Sequence, residues 1–77
     1  MYNSYKEVIF LSFKQFTKQF LKDQTPEGDL ARDINEDVNF PTSDKYEDII
    51  EHFKNCNAMT AVFDTFDRLW QIYTRNI

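Results

Sequence analysis

The sequence predicts an all-α fold, a compact bundle of four helices, and three observations predict it. Four stretches repeat apolar residues every three or four positions, the spacing of one helix face. No stretch alternates apolar and polar residues as a half-buried strand does, and the chain holds one glycine and two prolines. The breaks between the stretches carry helix-capping residues. At 77 residues the chain has room for one domain and not for two. The core of so short a chain is modest, so the eight Phe, four Tyr and one Trp must supply much of it.

The first stretch is Ile9, Phe13, Phe16 and Phe20. Its start has two readings. Ser4-Tyr5-Lys6-Glu7 and Ser12-Phe13-Lys14-Gln15 both fit a capping box, in which a hydroxyl and a Glu or Gln three residues on satisfy each other's backbone N–H. Either a longer first helix begins near Ser4, or a short leading segment precedes a helix from Ser12. Val8 to Leu11 also fits a short strand, with no second strand in sight to pair with it. Thr25 as cap and Pro26 as first helical residue open the second helix, and Gly28 weakens its first turn. Leu30, Ile34 and Val38 form its stripe, and it should stop before Pro41 because Phe40 is pushed toward extended geometry. Thr42, Ser43 or Asp44 caps the third helix, whose buried face is Tyr46, Ile49, Ile50 and Phe53. Asn55-Cys56-Asn57 reads as a turn. Met59, Val62, Phe63, Phe66, Leu69, Trp70 and Tyr73 make the clearest stripe, that of the last helix.

Charge is unevenly spread around a net of −4. Residues 1–22 carry four Lys against one Glu, while residues 23–51 carry ten acids against Arg32 and Lys45. The acidic middle repels phosphates and attracts a basic partner. A lone cysteine, Cys56, fits a reducing compartment, so a cytoplasmic protein is expected. The first residues lack signal-peptide features, and the longest apolar run, Val8-Ile9-Phe10-Leu11, is far short of a membrane span. No membrane role is expected.

The residues that carry chemistry are few. His52 falls about 100° from the Tyr46–Phe53 stripe and reads as a surface histidine. With Cys56 at i+4 it offers part of a zinc site, but any other ligands would have to be carboxylates, and the expectation is no metal and no cofactor. His52 and Cys56 can meet across one turn, yet no glycine-rich turn accompanies them to form an oxyanion hole, so catalysis is not expected. Acids recur at i, i+4 in Asp29/Asp33/Asp37, Asp44/Asp48 and Glu47/Glu51. They read as a solvated face, or, through Asp33, Asp37, Asp48 and Glu51, as a surface for a basic partner. Lys14, Lys18 and Lys22 form a basic row that reads as solvated, or as a contact with single-stranded nucleic acid. Tyr5, Val8, Phe10 and Leu11 exceed what one core-facing stripe can bury, so they either fold back over the bundle or mark a contact site.

A set of spaced pieces runs from Ser12 to Tyr73: Ser12-Phe13 with Phe16, Asp29-Leu30-Ala31 with Asp33-Ile34 and Asp37, and Phe40-Pro41. Asp44-Lys45-Tyr46 with Ile49 follows, then Val62-Phe63-Asp64 with Leu69-Trp70 and Tyr73. In these pieces the chain resembles the YozE family of small bacterial proteins. The resemblance implies a sterile-alpha-motif-like, orthogonal four-helix bundle over residues 12–74, with residues 1–11 as an added N-terminal segment. It transfers no catalytic residue. Similar folds bind proteins, DNA or RNA, so fold alone does not choose among them. The added apolar segment favours a protein partner. The expected function is a non-enzymatic interaction module, an accessory subunit of a larger protein acting on nucleic acid. The alternatives are direct nucleic-acid binding through the basic row and an acidic DNA mimic.

Overall fold

Helix starts need side chains to satisfy free N–H groups, and two starts in the computed structural model, which describes residues 11–75, use the residues the sequence offers. Helix α1 spans Phe13–Thr17. Ser12 Oγ accepts from Gln15 N at 3.2 Å, and Gln15 Oε1 accepts from Ser12 N at 3.1 Å, closing the expected capping box. The alternative start at Ser4 lies outside the described residues. A 3₁₀ turn, Lys18–Phe20, follows α1. Helix α2 spans Pro26–Glu36, with Thr25 Oγ1 accepting from Gly28 N at 3.1 Å and Pro26 at the first helical position.

Gly28 is more than a weak point in α2. It is buried, and a Cβ there would overlap the carbonyl oxygen of Asp23, with the carbonyl carbon 2.8 Å away and the Phe20 carbonyl oxygen at 3.0 Å. Glycine lets the loop from Phe20 to Asp23 lie against the first turn of α2. Arg32 holds the same loop, donating from Nη1 to Leu21 O at 2.7 Å and to Asp23 O at 3.2 Å.

Helix α3 spans Tyr46–Asn55 and α4 spans Thr60–Arg75. Neither Thr42, Ser43 nor Asp44 caps α3. Its N-cap is Lys45, without a side-chain cap. Ser43 instead shapes the approach: its Oγ accepts from Lys45 N at 2.9 Å and donates to Asp48 Oδ2 at 2.7 Å. Met59 precedes α4 and stands 77% exposed, so the stripe of the last helix begins at Val62.

The four helices form a bundle with no strand among the described residues. Helix α2 packs against α1, the 3₁₀ turn and α4, and α4 also receives α1 and α3. The core holds Phe13, Phe16, Leu30, Ile34, Phe40, Ile49, Phe53, Phe66, Leu69 and Tyr73, with Tyr46, Phe63 and Trp70 packed at its edge. Rings meet edge to face: Phe13 with Phe66 at 5.2 Å and Phe53 with Phe66 at 5.3 Å between centroids. The hydroxyls of both described tyrosines are bonded. Tyr46 Oη donates to Asp67 Oδ1 at 2.8 Å, and Tyr73 Oη donates to Leu11 O at 2.6 Å. No helix among the described residues is long and apolar enough to cross a membrane.

Candidate functional site

The helical stripe Leu30, Ile34, Val38 does not run to its end. Helix α2 stops at Glu36, and Asp37 turns extended, with φ −86° and ψ 103°. The cause is local. Asp37 Oδ1 accepts from Asn39 N at 2.9 Å, an Asx turn that competes with the helical backbone bond. Val38 is thereby thrown into solvent, 89% exposed, and Phe40 folds back into the core.

That break delivers the Asp37 carboxylate to helix α3. Its Oδ2 lies 2.7 Å from His52 Nε2. The His52 ring stands edge-on to Phe40, with centroids 5.2 Å apart and planes at 78°. The sequence reading of His52 as a surface histidine needs correcting: its side chain is 17% exposed, and that of Asp37 is 33%. Cys56 ends α3 as its C-cap and is exposed, with Sγ 3.7 Å from the same Nε2. One ligand atom from each of Asp37, His52 and Cys56 lies within 4.8 Å of the other two. The hydrogen bond from His52, then that from the Asn39 N–H, holds the Asp37 carboxyl below the usual carboxylate range.

These three side chains stand on the rim of a cleft of about 240 Å³, together with Asp33. Its floor is apolar: Leu30 and Ile34 from α2, Phe40, Phe53 from α3, and Val62 from α4. Asn57, at φ 58°, turns the chain from α3 toward α4 and lets Ala58 close one wall.

The arrangement does not suit nucleophilic catalysis. In a triad the nucleophile and the orienting acid bond opposite nitrogens of the imidazole. Here Cys56 and Asp37 both approach Nε2, so the carboxylate and the thiol compete for one atom.

The other expected site residues are dispersed. Tyr5, Val8 and Phe10 lie outside the described residues. Leu11 is 38% exposed, and its carbonyl is held by Tyr73. The basic row is not one helical face. Lys14 lies in α1 and donates from Nζ to Asp37 O at 3.1 Å, whereas Lys18 lies in the 3₁₀ turn and Lys22 in the turn beyond it. Asp33, Asp48 and Glu51 are exposed, but Asp37 is engaged by His52 and is not a free member of an acidic face.

Sequence reasoning paired His52 with Cys56 and missed Asp37, 15 residues upstream of the histidine. The available signal was Asp37-Val38-Asn39 ahead of Phe40-Pro41, an Asx-turn pattern that ends a helix earlier than the proline does. The YozE SAM-like fold model matches residues 12–75. Among curated proteins and solved structures nothing matches the chain.

Proposed function

The chain belongs to the YozE SAM-like fold family, and from that premise we propose that it is a non-enzymatic protein-interaction module, an accessory subunit of a larger protein. One observation carries this reading. The two most exposed large apolar side chains among the described residues, Val38 and Met59, lie next to the cleft along the chain. Each directly follows a cleft-lining residue, Asp37 and Ala58 respectively. Exposed apolar surface around a concave apolar floor marks a place where a partner side chain is buried. Each Å² so covered contributes about 25 cal/mol. The exposed acid Asp33, which also lines the cleft, favours a basic residue beside the inserted apolar one.

The run ending at Leu11, with Tyr5, Val8 and Phe10, offers the same partner a second apolar contact. The competition of Asp37 and Cys56 for one nitrogen supports a role without catalysis. The dispersal of Lys14, Lys18 and Lys22 supports a protein partner over direct nucleic-acid contact, so any nucleic-acid role runs through that partner. The lone cysteine suits the cytoplasm.

The test is co-purification from native lysate with the wild type and with the double variant Val38→Asp, Met59→Asp. Both residues are exposed, so the fold tolerates the change. A stoichiometric protein retained by the wild type and lost from the variant is expected. A wild type that retains none, or a variant that retains it equally, overturns the reading.

A further inference from the structure

Asp37, His52 and Cys56 come from two elements and converge on one point, and we propose that they form a three-ligand site for Zn²⁺ with its fourth position open to the cleft. The inference stands on the isolated chain and does not need the protein partner proposed above.

The ligand set selects the ion. A thiolate, an imidazole and a carboxylate suit zinc, and a hard cation such as Mg²⁺ or Ca²⁺ would take oxygen ligands instead. Thiolate and carboxylate together balance the charge of a divalent ion.

One edge of the cluster already has the length zinc requires, and the three ligand atoms lie within 4.8 Å of one another. Bond lengths of about 2.0–2.3 Å at tetrahedral angles place an imidazole nitrogen and a thiolate about 3.6 Å apart, and an imidazole nitrogen and a carboxylate oxygen about 3.4 Å apart. The Cys56 Sγ and His52 Nε2 are 3.7 Å apart, already at that edge. The Asp37 Oδ2 is 2.7 Å from Nε2, because a proton now joins them. The carboxylate has to withdraw by about 0.7 Å to admit the ion. Asp37 is half-buried and follows the end of α2, where such a shift does not disturb the helix.

Neighbouring contacts position the Asp37 and His52 side chains. The Asn39 N–H fixes Asp37 Oδ1 and leaves Oδ2 facing the histidine. The Phe40 ring sets the plane of His52. Lys14 Nζ sits on the Asp37 carbonyl oxygen, securing the backbone of the carboxylate ligand. The same features explain why catalysis fits poorly: two groups aimed at one nitrogen block a proton relay, but they surround a metal.

The experiment uses the untagged full chain. Zinc is titrated into it by calorimetry, and Co²⁺ is titrated as a spectroscopic probe. One equivalent of zinc should bind, and cobalt should give a thiolate charge-transfer band with the visible bands of a tetrahedral ion. Cys56→Ser should abolish the charge-transfer band and weaken zinc by at least about tenfold, or about 1.4 kcal/mol. Asp37→Asn should weaken zinc without removing the band. Cys56 is exposed, so its variant keeps the fold. A second readout needs no variant: zinc should slow alkylation of Cys56, the single cysteine, followed by mass spectrometry. Absence of binding, binding indifferent to Cys56→Ser, or alkylation unchanged by zinc overturns the site.

Discussion

Replacing Gly28 with alanine should destabilise the protein, against the usual sign of that change in a helix. Within a helix, Gly→Ala normally stabilises by about 0.5–1 kcal/mol, because alanine loses less backbone freedom. Gly28 does not adopt a positive φ, so no dihedral penalty opposes that gain. Space opposes it. The new methyl meets the Asp23 carbonyl group and lies 3.0 Å from the Phe20 carbonyl oxygen, both main chain and unable to rotate away. Overpacking of this kind costs about 1–3 kcal/mol. The displaced loop also carries the Asp23 carbonyl away from Arg32 Nη1, a solvent-exposed hydrogen bond that contributes about 0.5–1.5 kcal/mol. The net loss is about 2 kcal/mol, a fall in Tm of about 8–16 °C for a domain of this size. Urea denaturation followed by circular dichroism measures it. An alanine variant as stable as the wild type, or more so, would refute the reasoning that the loop presses on α2.

Further predictions concern the ion pair, the core and the metal. Arg68 Nε bonds Glu27 Oε2 at 2.8 Å, and this bond, with the backbone N–H of Glu27 itself, holds the Glu27 carboxyl below its ordinary value. A lowered folded pKa stabilises fully above the ordinary carboxylate range and is lost as the pH falls through the folded value. Wild type should therefore exceed Glu27→Gln by about 0.2–1 kcal/mol at neutral pH, as expected of a surface pair, and the gap should close in acid when stability is measured across pH. Phe66 is fully buried among Phe13, Tyr46, Phe53 and Trp70. Phe66→Ala should cost about 3–5 kcal/mol, most of the stability of a small domain, and leave a protein that melts near room temperature by circular dichroism. Zinc at a hundredfold excess over its Kd should raise stability by about 2.7 kcal/mol and Tm by roughly 10–20 °C in scanning calorimetry, reversed by chelator and cut to about 1.4 kcal/mol or less in Cys56→Ser at the same zinc concentration.

The helices were legible because their signals are local. The Ser12/Gln15 box and the Thr25-Pro26 start each need only four adjacent residues, and the stripe from Val62 to Tyr73 needs only its own periodicity. What escaped depends on contacts between elements or on competing local bonds. Val38 fits the α2 stripe by spacing, yet the Asx turn at Asp37 ends the helix first. Ser43 has the composition of a cap, but its hydroxyl is spent on Lys45 N and Asp48. Gly28 reads as a weak helix residue until the loop from Phe20 to Asp23 is seen lying on it. The candidate site was half legible. His52 and Cys56 share a helix and their spacing shows it, whereas Asp37 reaches them only because Phe40 anchors the chain beyond the break.

Both the cleft and the zinc site rest on that break placing Asp37 against His52. A double-mutant cycle with Asp37→Asn and His52→Gln, read by urea denaturation without metal, measures this contact directly. A coupling of about 0.5–3 kcal/mol is predicted for groups that touch. Single-variant effects that simply add, to within about 0.3 kcal/mol, would contradict it.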